Sequence, residues 1–145
     1  MSLPEPVPAL VIRYSYLWRS EHLRGKEEGV KDRPCAVIVV KTDADGEKMV
    51  TVLPITHTPP YQPEFAIEIP HSTKLRLGLD DARSWIMLNE ANRFIWPSPD
   101  LRFAITGDAA SAAYGLLPSS FFKEITKRLA AIIEARLIKI VSRSE

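Results

Sequence analysis

Hydrophobic and polar positions along this chain alternate in short segments that predict a β-rich fold. Residues 35–40 form an unbroken apolar run with many β-branched side chains, which favours a strand buried on both faces. Residues 10–18 place large side chains such as Ile12 and Tyr14 at even positions and Arg13 at an odd one, which is the period of a strand with one buried face. Both segments are therefore expected to belong to one sheet.

Turn residues separate the remaining strand-like segments. Residues 43–46 predict a hairpin turn because Gly46 is free to take a positive φ, and the chain should return as a strand over 48–55. Around 75–81 the pattern predicts a turn or a single helical turn. Shorter alternating segments predict three further strands, at residues 65–69, 85–88 and 93–96.

The clearest helical period lies near the end of the chain. Apolar side chains recur at spacings of three and four over residues 121–137, and Pro118 suits a first helical turn. One amphipathic helix should therefore close the sheet. The order predicts a mainly β fold with a C-terminal helix (α+β), built as a strongly bent antiparallel sheet or partly open barrel.

The domain organisation expected from these patterns is one domain over residues 1–145. Alternate prolines over residues 1–8 oppose both helix and sheet and predict a tail. Residues 19–32 carry many charges and two glycines and predict a long mobile loop. Residues 106–114 are small and polar and predict a flexible excursion.

Composition narrows the function classes. The chain of 145 residues is 46% apolar, and its 19 basic against 18 acidic side chains leave a net charge of +1. Such a balance does not indicate a nucleic-acid or membrane partner for the whole surface, so any anion site must be local. No apolar run approaches about 18 residues and no signal segment is evident, so we expect a soluble cytoplasmic protein without a membrane partner.

The sequence predicts no metal site and no cofactor. Its three histidines are scattered, and it has no Cys-x-x-Cys pair and no phosphate-cradling glycine loop. Cys35, the single cysteine, lies within the apolar run. It is expected to be a small buried hydrophobe in a reducing compartment, and not a nucleophile.

Candidate chemistry lies in polar clusters at predicted strand ends, residues 28–33, 56–57 and 90–93. If the strands on either side of Gly46 pair as a hairpin, their far ends meet, so Arg33 and Thr56 should lie close together. Arg33 can bind a phosphodiester by a two-pronged contact, and Thr56 can add a hydrogen bond. Glu28 or His57 would then move protons.

The same residues also have plain structural interpretations. Arg33 can form an exposed ion pair with the preceding aspartate, which contributes little stability. Thr56 can cap the turn before two prolines. His57 can be a solvated loop side chain, and Glu90 and Arg93 can be turn formers.

Taken in order, Glu28, the pair Arg33-Pro34, an apolar strand and the triplet Pro54-Ile55-Thr56 resemble the MazF/PemK family of toxin–antitoxin endoribonucleases. The likeness runs from about residue 10 to 135, through Gly78-Leu79, residues 85–93 and residues 114–117. It implies an SH3-like barrel that works as a homodimer and cuts single-stranded RNA without metal. The ribose 2′-hydroxyl would attack the adjacent phosphate and leave a cyclic phosphate and a free 5′-hydroxyl.

By position, the resemblance assigns Arg33 to transition-state stabilisation, Thr56 to a phosphate oxygen and Glu28 to the candidate base. Glu90 stands where many members carry glutamine. The resemblance also implies a cognate antitoxin protein as partner. The candidate substrate-binding residues are Lys26, Lys31, His57, Glu90 and Arg93.

Two other functions fit the same pattern. The chain can be a non-catalytic SH3-like module that grips RNA or a topoisomerase-type protein without nuclease activity. It can also be an interaction domain that does not inhibit growth. These alternatives differ from the nuclease in what the loss of Arg33 would do: an enzyme loses cleavage, whereas a binding module loses only affinity.

Overall fold

A single sheet dominates the computed structural model, which describes residues 4–25, 32–102 and 112–143. The described residues form nine strands: β1 (Leu10–Tyr14), β2 (Arg33–Thr42), β3 (Lys48–Thr56), β4 (Ala66–Glu68), β5 (Trp85–Met87), β6 (Glu90–Trp96), β7 (Leu101–Arg102), β8 (Ala113–Leu116) and β9 (Lys139–Ser142). They also form three α-helices: α1 (Arg19–Leu23), α2 (His71–Leu77) and α3 (Ser119–Glu134). The predicted mainly β, α+β class with a C-terminal helix is confirmed.

The sheet bends because two strands exchange neighbours along their length. The order β4-β5-β3-β2-β1-β7 forms its path, while β6 pairs with β3 and β9, and β8 pairs with β1. The start of β3 pairs with β6, whereas Ile55 and Thr56 pair with β5. All pairings are antiparallel except β6 with β9. Among the described residues the sheet does not close on itself, so the expected strongly bent sheet is the form observed.

The hairpin of β2 and β3 follows the sequence prediction closely. Asp43 Oδ1 accepts hydrogen bonds from the backbone N–H groups of Asp45 and Glu47, both at 2.9 Å, and Gly46 has a φ of 84°. A side-chain carboxylate that bonds the backbone two residues on is typical of a tight turn. The turn sets a register in which Thr42 pairs with Lys48, and a bulge between Val37 and Val39 shifts it by one residue, so that Cys35 pairs with Pro54.

Strand β2 is buried on both faces, as its apolar run predicts. Ala36 and Ile38 belong to one core cluster, which includes the apolar side of α3, and Cys35 and Val37 belong to a second cluster on the opposite face. Successive side chains of a strand point to opposite faces, so an apolar run without alternation suits a strand covered on both sides. Cys35 is fully buried, as expected.

The strand expected over residues 10–18 ends at Tyr14. Beyond it the chain leaves the strand pairing. Ser15 N donates to the backbone oxygen of Asp100 at 2.9 Å. Leu17 N then donates to Asn92 Oδ1, and Asn92 Nδ2 donates to Leu17 O, both at 2.8 Å. The loop expected over residues 19–32 then begins with α1, which the prediction missed. Glu90 Oε2 accepts a hydrogen bond from Arg19 N at 2.9 Å and so satisfies a free N–H at the start of that helix.

The C-terminal helix is shorter than its sequence period indicates. Helix α3 ends at Glu134, Arg136 takes a φ of 57°, and the chain turns back into β9, which was not predicted. Leu137, assigned to the helix by its spacing, is exposed. No helix of the described residues has both the length and the apolar content to cross a bilayer.

Two smaller expectations are corrected. Helix α2 covers residues 71–77 and ends at Gly78, whose φ is 70°, where a turn or a single helical turn around 75–81 was expected. Tyr114, expected in a flexible excursion over residues 106–114, lies in β8, while residues 103–111 lie outside the described part of the chain. Residues 4–8 of the Pro-rich segment form neither helix nor strand; Pro6 is buried and Glu5 forms an ion pair with Lys48.

Candidate functional site

Arg33 and Thr56 lie together at one edge of the hairpin, as its geometry predicts. Arg33 is the first residue of β2 and Thr56 the last of β3. The register that pairs Cys35 with Pro54 places the two side by side. Arg33 Nη1 donates a long hydrogen bond of 3.5 Å to Ile55 O, and both side chains line the same cavity.

This cavity has a volume of about 430 Å³. Its walls come from five separate parts of the chain: the end of β1, the start of β2, the end of β3 with the turn after it, the loop that follows α2, and β8. The lining is largely polar. It consists of Arg13, Asp32, Arg33, Pro34, Ile55, Thr56, His57, Thr58, Gly78, Leu79, Asp80, Ser84 and Tyr114.

The charge of Arg33 is not matched by any carboxylate among the described residues. Asp32 lies 3.8 Å from Arg13 and 3.4 Å from Arg102, and Asp80 pairs with Lys74 at 2.7 Å. The expected exposed ion pair between Arg33 and Asp32 is therefore not formed. With both acidic side chains of the cavity countered by other cations, Arg33 gives the site a net positive potential that favours an anion.

The guanidinium of Arg33 is held in place but keeps hydrogen-bonding capacity. Its carbon lies 4.9 Å from the ring centroid of Trp18, in a cation–π contact. Its Nε is buried and has no hydrogen-bond partner within the described residues. A buried N–H without a partner costs free energy. The Thr56 hydroxyl accepts a 3.1 Å bond from Thr58 N, which supports the turn interpretation and leaves the O–H itself as a donor.

His57 is bound to a carboxylate that the sequence analysis did not select. Its Nε2 lies 2.7 Å from Asp80 Oδ2. The other oxygen, Asp80 Oδ1, accepts a hydrogen bond from Lys74 Nζ at 2.7 Å. The side chain of Lys74 is only 2% exposed. Its hydrogen bond is the main reason that the pKa of Asp80 lies below the ordinary value, and His57 adds to the effect.

Tyr114 is a second residue of the cavity that sequence reasoning missed. It lies in β8, which pairs with β1. Partial burial raises the pKa of its hydroxyl above 10.0, so the group stays protonated at neutral pH and can donate a hydrogen bond. The residues of the family resemblance include Tyr114, but only as part of a motif before the helix, with no role assigned.

Two of the predicted substrate-binding residues lie away from this cavity. Glu90 is half-buried at the start of β6, beside Tyr16, where it accepts the bond from Arg19 N. Arg93 lines a different cavity of about 420 Å³ between the sheet and α3, and its Nε lies 3.4 Å from Thr51 Oγ1. The structure thus brings Arg33, Thr56 and His57 together but not Glu90 or Arg93.

Three predicted site residues belong to the segment 26–31. Glu28, the candidate base, and Lys26 and Lys31, the candidate RNA contacts, lie outside the described residues. Their assignments stay predictions from the sequence.

The position of Glu90 predicts a pH dependence of stability. Burial raises its pKa above 4.5, so the folded protein holds this proton to a higher pH than the unfolded chain does. The free energy of unfolding should therefore fall as the pH rises from about 4.5 through the folded-state pKa.

Glu90→Gln keeps an oxygen that accepts from Arg19 N and removes the titration. In urea unfolding experiments between pH 4 and 8, the free energy of unfolding should fall less for Glu90→Gln than for the wild type. The exposed Glu124→Gln is the control. Parallel curves for Glu90→Gln and wild type would contradict this assignment.

Comparison with known proteins does not assign the chain to a family. No protein-family model matches it, and no curated protein matches it significantly. A functional assignment therefore depends on the geometry of the cavity and on the resemblance of its motifs.

Proposed function

We propose that the chain is a metal-independent endoribonuclease of the MazF/PemK type that cleaves single-stranded RNA within the Arg33 cavity. The observation that carries the proposal is that Arg33 and Thr56 line one cavity at the open end of the β2–β3 hairpin, where Arg33 has no carboxylate partner among the described residues. A phosphodiester carries the single negative charge and the unpaired oxygens that such a site requires.

The chemistry that suits this arrangement is transfer of the phosphate to the neighbouring 2′-hydroxyl. The 2′-oxygen forms a bond to phosphorus while the bond from phosphorus to the 5′-oxygen breaks, which gives a cyclic phosphate and a free 5′-hydroxyl. Negative charge builds up on the phosphate oxygens in the transition state. Arg33 would stabilise that charge, and the Thr56 hydroxyl would donate to one oxygen. Either Glu28 or His57 would take the proton of the 2′-hydroxyl.

The direct test is incubation of the purified chain with a long RNA, followed by mapping of both new ends. The proposal requires a 2′,3′-cyclic phosphate on one side of each cut and a 5′-hydroxyl on the other. Ends with a 5′-phosphate would contradict it, because they arise when water and not the 2′-hydroxyl attacks phosphorus.

A chelator provides a second prediction. Because the proposal assigns the charge that faces the phosphate to Arg33, the rate of cleavage should stay within about twofold in excess EDTA. The measurement is the initial rate on the same RNA with and without the chelator. Loss of activity with EDTA and its return with Mg²⁺ would show that a metal ion, and not Arg33, supplies the positive charge that faces the phosphate.

The resemblance extends the proposal to the cell. As a toxin of this type the chain would act as a homodimer in the cytoplasm, inhibit growth by cutting mRNA, and be neutralised by a cognate antitoxin. Induction in a bacterium should then arrest growth and fragment RNA, and Arg33→Ala should abolish both effects. Normal growth with intact RNA would favour the non-catalytic binding module.

A further inference from the structure

From the contacts of Lys74, Asp80 and His57, we infer that His57 is the proton acceptor of the cavity and that Asp80, anchored by the buried Lys74, is its positioning residue. The inference rests on the proposed nuclease function for the chemical role of His57. The positioning itself depends only on the three contacts and can be tested separately.

Lys74 anchors the array formed by Lys74, Asp80 and His57, and all three N–H donors of its ammonium group are used. Lys74 lies on the buried side of α2, and its Nζ donates to Asp80 Oδ1 at 2.7 Å, to Ser84 Oγ at 2.8 Å and to Ala82 O. A buried lysine is costly unless each of its three donors finds an acceptor. Asp80 Oδ1 also accepts from Ala82 N at 3.1 Å. The carboxylate is therefore fixed at the cavity wall although about half of its side chain is exposed.

A fixed carboxylate determines which nitrogen of His57 carries the proton. Asp80 Oδ2 can only accept, so the 2.7 Å contact requires a proton on His57 Nε2. In neutral His57 the lone pair then lies on Nδ1. The low pKa of Asp80 keeps the carboxylate charged at neutral pH. A base whose tautomer is set by a carboxylate is the arrangement that activates hydroxyl nucleophiles in other enzymes.

The step assigned to His57 balances as follows. Nδ1 takes the proton of the 2′-hydroxyl as its oxygen bonds to phosphorus. The electron pair of the broken bond stays on the 5′-oxygen, which takes a proton from solvent. His57 then returns its extra proton to solvent. Thr56, the adjacent residue, lines the same cavity as Arg33, so base, hydroxyl donor and cation face one space.

The sharpest variant is Asp80→Asn. The introduced amide oxygen can still accept from Lys74 and from Ala82 N, while its NH₂ group faces His57 and must donate to Nε2. The proton of neutral His57 should then move to Nδ1, which removes the acceptor and leaves the array intact. Asp81→Asn is the matched control, because it makes the same change one residue away at an exposed position outside the cavity lining.

The experiment combines ¹⁵N NMR of the imidazole with cleavage kinetics. We expect the Nε2–H tautomer in the wild type and in Asp81→Asn, and the Nδ1–H tautomer in Asp80→Asn, with similar thermal unfolding midpoints. Both Asp80→Asn and His57→Gln should lower kcat by about 10²–10⁴-fold with little change in KM. Their double variant should lose no more than the larger single loss, since the two residues act as a unit.

Several results would overturn the inference. They are an Nδ1–H tautomer in the wild type, an unchanged tautomer in Asp80→Asn, or a kcat that survives His57→Gln but is lost in Glu28→Gln. If the wild-type chain cuts no RNA, the proposed function fails and the base role with it. The NMR comparison still decides in that case whether Lys74 and Asp80 position His57.

Discussion

Arg33→Ala is expected to lower the rate of RNA cleavage by about 10²–10³-fold, the usual cost of removing one preorganised donor from a transition state. The fold should persist, because within the described part of the chain the side chain of Arg33 makes one long hydrogen bond, to Ile55 O, and one cation–π contact, with Trp18. An exposed or half-buried cation–π contact contributes about 0.5–2 kcal/mol. Initial rates on a long RNA, together with urea unfolding curves, measure the two effects separately.

Two further variants sharpen this test. Arg33→Lys keeps the charge but loses the two-pronged geometry, so its rate should lie between those of the wild type and Arg33→Ala. Lys127→Ala removes a charge from the exposed side of α3, which contributes no residue to the cavity, and should leave the rate unchanged. An Arg33→Ala protein that cleaves at the wild-type rate would show that Arg33 takes no part in the reaction. If the wild type binds RNA without cleaving it and Arg33→Ala only binds RNA less tightly, the protein is a binding module.

The sequence was sufficient for the part of the site that one hairpin builds. A turn at Gly46 joins two apolar strands, and their antiparallel pairing, with a one-residue shift between Val37 and Val39, brings Arg33 next to Thr56. Local patterns carry this information because both partners lie on strands joined by a short turn. The expected burial of β2 on both faces followed from the same run of side chains.

The rest of the site depends on contacts between distant segments, which local patterns do not encode. Asp80 reaches His57 only because α2 ends at Gly78 and Lys74 holds the following loop. The family resemblance implies that Arg93 contacts the RNA backbone. Its side chain instead occupies the face of β6 that packs toward α3. Alternation along a strand predicts two faces but not which of them meets a given cavity.

Strand β9 was not predicted for the same reason. Its apolar residues continue the spacing of α3, so the period alone favours a longer helix. What decides the structure is parallel pairing with β6, in which Ala91 lies opposite Ile140 and Asn92 opposite Val141. Such pairing gains its free energy from tertiary contacts that the local pattern cannot show.

Arg143→Met is expected to lower the free energy of unfolding by about 3–5 kcal/mol, the cost of breaking a buried ion pair by removing one partner. Arg143 follows β9 and its side chain is only 3% exposed. Its guanidinium donates to Asp100 Oδ2 at 2.7 Å, to Ser15 O at 2.9 Å and to Asn92 Oδ1 at 3.1 Å. The substitution leaves the carboxylate of Asp100 buried without its cation. At a typical slope of about 2 kcal/mol/M, the urea midpoint should fall by about 2 M.

The hydrogen bonds of Arg143 link the segment after β9 to the candidate site. Asn92, which accepts from Arg143, also holds both backbone groups of Leu17, and the next residue, Trp18, packs against Arg33. Arg143→Met should therefore loosen the segment that supports Arg33 as well as destabilise the fold. Lys139→Met, an exposed change in β9, is the control and should stay within about 0.5 kcal/mol of the wild type.

A double variant separates the charge of Arg143 from its packing. If the uncompensated carboxylate causes the loss, Arg143→Met combined with Asp100→Leu should be more stable than Arg143→Met alone, because no buried charge remains. If the double variant is less stable than the single one, the loss comes from the other contacts of Arg143, which are its hydrogen bonds to Ser15 and Asn92 and its packing on the ring of Tyr14. In either case a loss below about 1 kcal/mol for Arg143→Met would show that this buried pair does not stabilise the segment beside Arg33.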